Sequence, residues 1–491
     1  MVRVSGLASG MDIDEIVKSM MQAERVPLDK LNQKKTYTEW QRDDYRAINS
    51  SLLELDTLIR DGIGKQASFI KKTVSVSDPN ALSIKNINST SDFSGTMEVK
   101  NLAVSAMMKN SEKLSIDPAV KLLADGAAAQ EISIQAIDKN GVLGENKKIT
   151  ITADDTLNSL ITKINSNTDV TAFYDQQSGQ LSFTAKNTGD IADGAEIKLT
   201  GDFFANTLKM DADNQTANGT AGVNATVVYN GLEISRSSNV INLNGAEFTL
   251  KAKTDGPVTF SSTADVDAIL DTVTQFVSKY NELIAKIKDK TSETKYRDFA
   301  PLTAEQKKEM SEDEIKLWEE KAKSGTLKND STLSNLLTTM RSSLYTSVSG
   351  ISGTNALSKI GITTTSNYLE GGKLTIDEDK LRAAISEDPN AVYQLFMANG
   401  TEKGEMGLAR RLRSDLDGAM KAITEKAGKA SSVNNTFTIG KQLNGLDTSI
   451  SAFEDRLAKL ETRYYSQFTA MEQAIQKANS QSTSLSSYFS S

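Results

Sequence analysis

The apolar positions near the end of the chain run Leu443, Leu446, Ile450, Phe453, Leu457, Leu460, Tyr464, Phe468, Met471 and Ile475, in steps of three and four with one extra four after Tyr464. Such steps draw one narrow apolar stripe along a helix, the seam of a coiled coil. From Leu457 to Phe468 the steps make an eleven-residue unit, which locally relaxes a left-handed supercoil. A helix over residues 441–479 would measure about 58 Å, longer than a small domain is wide. A rod of that length with one apolar stripe requires a partner along it.

The start of the chain supplies a candidate. Asp12 with Glu15 has the form of a capping box, and Ile13, Ile16, Val17, Met20 and Met21 make one face of a short helix. Pro27 is expected to restart a second helix at its first turn, where a missing N–H costs nothing. That second helix carries Leu28, Leu31, Tyr45, Ile48, Leu52, Leu55 and Ile59 and is expected to stop near Gly62-Ile63-Gly64. Thr38 and Gln41 fall on its seam, where polar residues lower stability but fix register. The expected interface therefore comprises Ile13, Ile16, Val17, Met20, Leu28, Leu31, Ile48, Leu52 and Leu55 from the first end. From the last end it takes Leu446, Ile450, Phe453, Leu457, Leu460, Tyr464, Phe468, Met471 and Ile475, buried against the first end or against an assembly partner.

Between residues 71 and 261 the apolar period changes to two. Met97-Glu98-Val99, Ile132-Ser133-Ile134, Ile149-Thr150-Ile151, Leu181-Ser182-Phe183 and Ile197-Lys198-Leu199 alternate, with Gly, Asn and Asp between them, and read as antiparallel strands. Asn230-Gly231, between Val227-Val228-Tyr229 and Leu232-Glu233-Ile234, predicts a type I′ hairpin. A short helix is expected over Leu157–Ile164, capped by Asp154 or Asp155, and Asp211–Asn224 reads as a surface linker.

Helix returns at residue 264, with Val266, Ile269, Leu270, Val273, Phe276, Val277, Tyr280, Leu283, Ile284 and Ile287 forming a broad core-facing stripe. Further helices are expected at 303–323, 330–347, 379–387, 391–398 and 408–426, with a strand at 373–376. The chain thus reads as α+β: long N- and C-terminal helices form a coiled-coil or helical stem, with antiparallel β-rich head domains inserted between them. The expected segments are 1–70 for the first stem helices, 71–107 and 219–263 for a β head domain, 108–218 for a β-rich insertion, 264–430 for a helical leg domain and 431–491 for the last coiled-coil helix. Six prolines and thirty glycines in 491 residues leave room for such long helices.

Chemistry is constrained by what is missing. With no cysteine there is no disulfide, thiolate nucleophile or Cys-type metal site, and with no histidine there is no Ser-His-Asp triad or HExxH zinc site. The net charge of −8 argues against nucleic acid as a partner, and the sequence has no apolar run long enough to span a membrane. The first residues lack the pattern of a cleaved secretory signal. Gly371-Gly372-Lys373-Leu374-Thr375 resembles a phosphate loop, but position 367 is not glycine and Leu374 cannot ligate magnesium. Asp138-Lys139-Asn140-Gly141 has Ala136 and Lys147 where a calcium loop needs its first and last ligands, so it reads as a turn. The charged stretch 305–323 reads as a solvated helix, and the carboxylate pairs Asp43-Asp44 and Asp154-Asp155 as helix surface and caps. No catalytic residue, metal ligand or cofactor is expected.

The opening Gly6-Leu7-Ala8-Ser9-Gly10-Met11-Asp12, with Ile16-Val17 and Glu24-Arg25-Val26-Pro27-Leu28, resembles the amino-terminal region of the bacterial flagellar hook-associated protein 2 family, the filament cap proteins. Tyr465 to Ile475 and Asn479-Ser480-Gln481-Ser482 are similar to that family's carboxyl terminus. Phe276 to Leu283, Pro301-Leu302-Thr303, Trp318 to Lys321 and Ser324-Gly325 are similar to its carboxyl-terminal domain, and residues 131–190 to a flagellin-type insertion. The resemblance implies a secreted, extracellular structural protein at the distal tip of the flagellum, exported unfolded, that oligomerises and promotes folding and insertion of flagellin while preventing its loss. It implies as partners further copies of the chain, flagellin, hook–filament junction proteins and an export chaperone at the carboxyl end. A hook–filament junction protein of the same export system is one alternative. The other is a surface adhesin whose head binds mucus or a host surface.

Overall fold

A computed structural model describes residues 9–192, 194–210, 218–367 and 370–489. The chain divides into a helical unit, Met1–Phe69 with Ile269–Ser491, and a β unit, Ile70–Ala268. Gly6 to Ala8 of the opening motif and residues 211–217 of the expected linker lie outside the described residues.

In the helical unit, α1 (Ile13–Leu58) is capped by Asp12, whose carboxylate accepts the Glu15 N–H at 3.0 Å. The sequence predicts a break at Pro27, yet α1 runs through it. Pro27 and Ala23 are both exposed, so the carbonyl that proline leaves unpaired faces water, while Met21 and Leu28 on either side are buried. The helix ends in a π turn (Ile59–Ile63) closed at Gly64, whose N–H bonds Ile59 O at 2.7 Å.

The stripe of α4 (Val266–Ser292) is buried from Ile269 to Ile287, as its breadth predicts. The single helix expected at 303–323 is two, α5 (Ala304–Glu309) and α6 (Glu312–Lys323), because Ser311 forms a capping box with Glu314 and starts a new helix. Then come α7 (Ser331–Tyr345), α8 (Glu378–Glu387), α9 (Pro389–Met397), α10 (Leu408–Ala427) and α11 (Thr438–Phe489). Trp318 of α6 packs on Phe299 with ring centroids 4.6 Å apart and donates to Ala300 O at 2.8 Å. In the helical unit α1 is tied sideways by polar groups: Asp56 to Arg413 at 2.7 Å, Arg46 to Ala427 O at 3.0 Å, and Asp44 to Lys290 at 3.2 Å. Tyr45 donates to Asp330, which also meets Lys426 at 3.2 Å. Burial opposes ionisation of Asp330, but the Tyr45 hydroxyl, the Leu333 N–H and Lys426 together hold its carboxyl below the ordinary range.

The β unit has two cores. One lies on a five-stranded antiparallel sheet, β1 (Lys72–Val76), β15 (Val258–Ala264), β3 (Ser94–Asn101), β11 (Ala225–Tyr229) and β12 (Leu232–Arg236) in that order, and a three-stranded sheet of β13 (Val240–Leu243), β14 (Ala246–Leu250) and β2 (Leu82–Asn86). Tyr229, Phe248 and Phe260 cluster in it with centroids 5.3–6.0 Å apart. The β11–β12 turn has Asn230 at φ +50 and Gly231 at φ +86, the left-handed pair that a type I′ hairpin requires.

The second core lies on β10 (Gly219–Thr220), β4 (Met107–Lys109), β8 (Gln180–Ala185) and β7 (Val170–Asp175), and on β6 (Lys147–Ile151), β5 (Gln130–Ala136) and β9 (Ile197–Thr200), with α2 (Leu157–Asn167) and α3 (Asp202–Asn206). Part of the expected linker is thus paired: β10 lies on β4, and Val223 bridges Val104.

The cap of α2 differs from expectation. Thr156 holds the N-cap with Ser159, while Asp155 lies buried one residue before it. Its carboxylate accepts from the Thr152 N–H and the Lys163 ammonium and, through its other oxygen, from the Ser159 hydroxyl, at 2.6–2.7 Å. Burial alone would raise its pKa; Lys163 and these donors outweigh it, and the net shift is strongly downward. A carboxyl with a depressed native pKa stabilises the fold fully above its unfolded value near 3.9 and loses that contribution as pH falls through the native value. Asp155→Ala is therefore expected to weaken the α2 corner by about 2 kcal/mol at neutral pH. The gap from the parent should narrow below about pH 4. Hydrogen exchange of the α2 amides at the two pH values reads both effects.

Candidate functional site

The two chain ends meet, as antiparallel helices. Ile13, Val17, Met21 and Leu28 of α1 form a buried cluster with Leu457 of α11, and Ile450, Phe453, Leu460, Tyr464, Tyr465 and Phe468 pack against it while remaining partly open. Polar pairs set the direction: Lys35 with Asp447 at 2.6 Å, Glu24 with the Tyr464 hydroxyl at 3.3 Å, Asp14 with the Tyr465 hydroxyl at 2.9 Å, and Ser9 with Glu472. The hydrogen bond to Asp447 raises the pKa of Lys35. Rising numbers on α11 meet falling numbers on α1.

Not all expected interface residues join this seam. Ile48, Leu52 and Leu55 are fully buried in the helical unit, and Leu446 is buried outside the stem cluster. Ile16, Leu31, Met471 and Ile475 are half-buried, and Met20 is exposed. Glu472, which the sequence does not single out, is 3% exposed. Its signal was available: from Tyr464 through Phe468 the four-residue step continues to 472 rather than shortening to Met471. Thr38 and Gln41 serve other ends than register, Thr38 bonding back to Lys34 O at 2.7 Å and Gln41 reaching Thr326 O at 3.0 Å. Glu472 meets Ser9, ahead of α1, and α11 continues to Phe489 with Leu485 59% exposed.

The rejected motifs are structural. Asp138 closes its turn by accepting the Asn140 N–H at 2.8 Å, and Asp154 pairs with Lys121 at 2.9 Å. Among the described residues no group of three or more acidic side chains could hold a metal ion, and no helix is long and apolar enough to cross a membrane.

The terminal helices thus pair along a seam that is only partly covered within the chain, and the β domains are inserted between them in the sequence. Family models for the flagellar hook-associated protein 2 C-terminus and N-terminus match residues 222–480 and 9–106, and the flagellin hook IN motif matches 131–187. The flagellar hook-associated protein 2 of Halalkalibacterium halodurans is 35% identical over 538 aligned positions, covering 99% of this chain and all of that one. The A-type flagellar hook-associated protein 2 of Pseudomonas aeruginosa is 26% identical, covering 99% and 97%. The crystal structure of the flagellar cap protein FliD, D1-D2-D3 domains, from Escherichia coli shares the fold, with a TM-score of 0.58 and 24% identity over 82% of this chain and 99% of that one. The chain belongs to the flagellar hook-associated protein 2 family.

Proposed function

We propose that this protein caps the flagellar filament at its distal, extracellular end, several copies joining there to retain exported flagellin and promote its folding and insertion. The observation that carries this reading is the stem itself. Leu457 and its α1 partners are covered, but Ile450, Phe453, Leu460, Tyr464 and Phe468 keep apolar surface open along the seam. Apolar surface repeated along a rod calls for cover by neighbouring copies or by subunits of the filament. The name of the Escherichia coli structure, a flagellar cap protein, agrees with that use. Until assembly the same surface invites aggregation, so an export chaperone holding the carboxyl end belongs to the proposal.

The mass of the full-length chain across a concentration series, and its binding to purified filament ends imaged by electron microscopy, test the proposal. Concentration-dependent oligomers and end-on density are expected. A monomer at every concentration with no affinity for filament ends would overturn it.

A further inference from the structure

The helical unit holds a cavity of about 410 Å³, bordered by α4, the end of α7, the loop that follows and a small hairpin of β16 (Ile362–Thr364) and β17 (Leu374–Ile376). That volume falls in the range of ligand sites, about 300–1,000 Å³. Its lining includes Leu344, Leu357 and Leu374, which are buried, so its floor is apolar. Three polar features converge on it.

Tyr280 is 1% exposed, lines the cavity, and has no hydrogen-bond partner for its hydroxyl among the described residues. The residue is buried but its hydroxyl opens to the cavity, where it can donate to an acceptor that enters. Arg341 borders the same space without a carboxylate in ion-pair range among the described residues. Its stem lies along Gly372, at φ +95, where an added Cβ would stand 3.2 Å from Arg341 Cγ. The glycine leaves room for the stem of this exposed arginine beside the cavity.

The third feature is a strand edge. Asp377 N–H bonds Gly361 O, and Thr365 N–H bonds Lys373 O, both at 2.9 Å, so alternate residues of β16 face β17 while Ile362 and Thr364 turn their backbone groups the other way. On β17 the corresponding outer groups are closed by a side chain: Leu374 N–H gives to Asn281 Oδ1 and Leu374 O takes from Asn281 Nδ2, both at 2.8 Å. On β16 the N–H and C=O of Thr364, which lines the cavity, have no partner among the described residues. One edge of the hairpin is plugged and the other is open.

We propose that this cavity binds an extended peptide segment bearing a carboxylate, with the carboxylate held by the Arg341 guanidinium and the Tyr280 hydroxyl and the peptide main chain added to the β16 edge at Thr364. One guanidinium and one neutral hydroxyl match the single charge of a carboxylate; a phosphate brings more charge than the one cation in the lining can meet. Free backbone groups beside an apolar floor suit a strand whose alternate side chains enter the cavity. The inference stands apart from the capping role, since no residue of the cavity lining belongs to the stem cluster.

The test uses the full-length chain, with its leucine and isoleucine methyl groups followed by NMR. The probe is a short end-blocked peptide of alternating valine and threonine with one central glutamate. Shifts at the Leu344, Leu357 and Leu374 methyls are expected, with affinity falling roughly tenfold or more for Arg341→Met, for the glutamine form of the peptide, and for a peptide N-methylated at alternate residues. Tyr280→Phe keeps the ring and should weaken binding severalfold, so it carries the test if Arg341→Met alters the melting temperature. Equal binding of the glutamine peptide, or no shifts at millimolar peptide, would overturn the proposal. So would the same shifts from free glutamate alone, which would reduce the site to one for a small anion.

Discussion

Replacing Leu457 by aspartate is expected to open the stem. Leu457 is 6% exposed and is the α11 residue about which Ile13, Val17, Met21 and Leu28 are gathered. Removing a buried leucine side chain costs about 2–5 kcal/mol, and a carboxylate put in its place must either be desolvated without a partner or drag water into the seam. The amino-terminal turns of α1 have no other described apolar cluster to hold them, so the loss falls on local pairing more than on the whole fold. Hydrogen exchange should show lost protection at residues 13–28 and 446–475, with the β unit unchanged. Leu457→Met, which nearly conserves volume, should cost less than about 1.5 kcal/mol. In cells the aspartate variant should give short filaments and free flagellin in the medium. Protection and growth like those of the parent would remove this seam from the account.

The stem was legible because a stripe in steps of three and four admits few other structures, and its eleven-residue unit follows from spacing alone. The partner of a stripe is another matter. Ile48, Leu52 and Leu55 continue the same period as Ile13 and Val17, yet they lie in the core of the helical unit, because a helix face carries no label for what covers it. Pro27 misled for a related reason: the lost hydrogen bond is a local cost, and packing by the buried Met21 and Leu28 outweighs it. The Asn230-Gly231 hairpin was readable from two residues because only a left-handed pair fits its turn. β16 was not, since Ile362-Thr363-Thr364 is too short to show alternation. Of the cavity, sequence alone shows nothing: Tyr280 reads as one more core residue, and an arginine on a helix reads as solvated.

Arg411 is the strongest case of a residue whose role only the fold reveals, and its replacement by methionine is expected to destabilise the helical unit by about 2–4 kcal/mol. The side chain is 1% exposed. Nη1 donates to Thr346 O at 2.6 Å and Ser343 O at 3.4 Å, and Nη2 to Gly404 O at 2.6 Å and Ser347 O at 3.2 Å. Three of those carbonyls belong to the end of α7 and the residues just past it, where a helix has acceptors without intrahelical donors and a negative dipole end. Burial lowers the arginine's pKa from its ordinary value, yet guanidinium basicity is high enough to keep the charge. Methionine would fill most of the volume while leaving those carbonyls unpaired, and lysine, a single ammonium on a shorter reach, should recover only part of the loss. Both tryptophans, Trp40 and Trp318, lie in the helical unit, so urea unfolding followed by tryptophan fluorescence reports on it alone. Because Ser347 also borders the cavity, freeing the end of α7 should weaken the peptide binding proposed there. A methionine variant that unfolds at the parent's urea concentration would show that the end of α7 is held by packing and not by the buried charge.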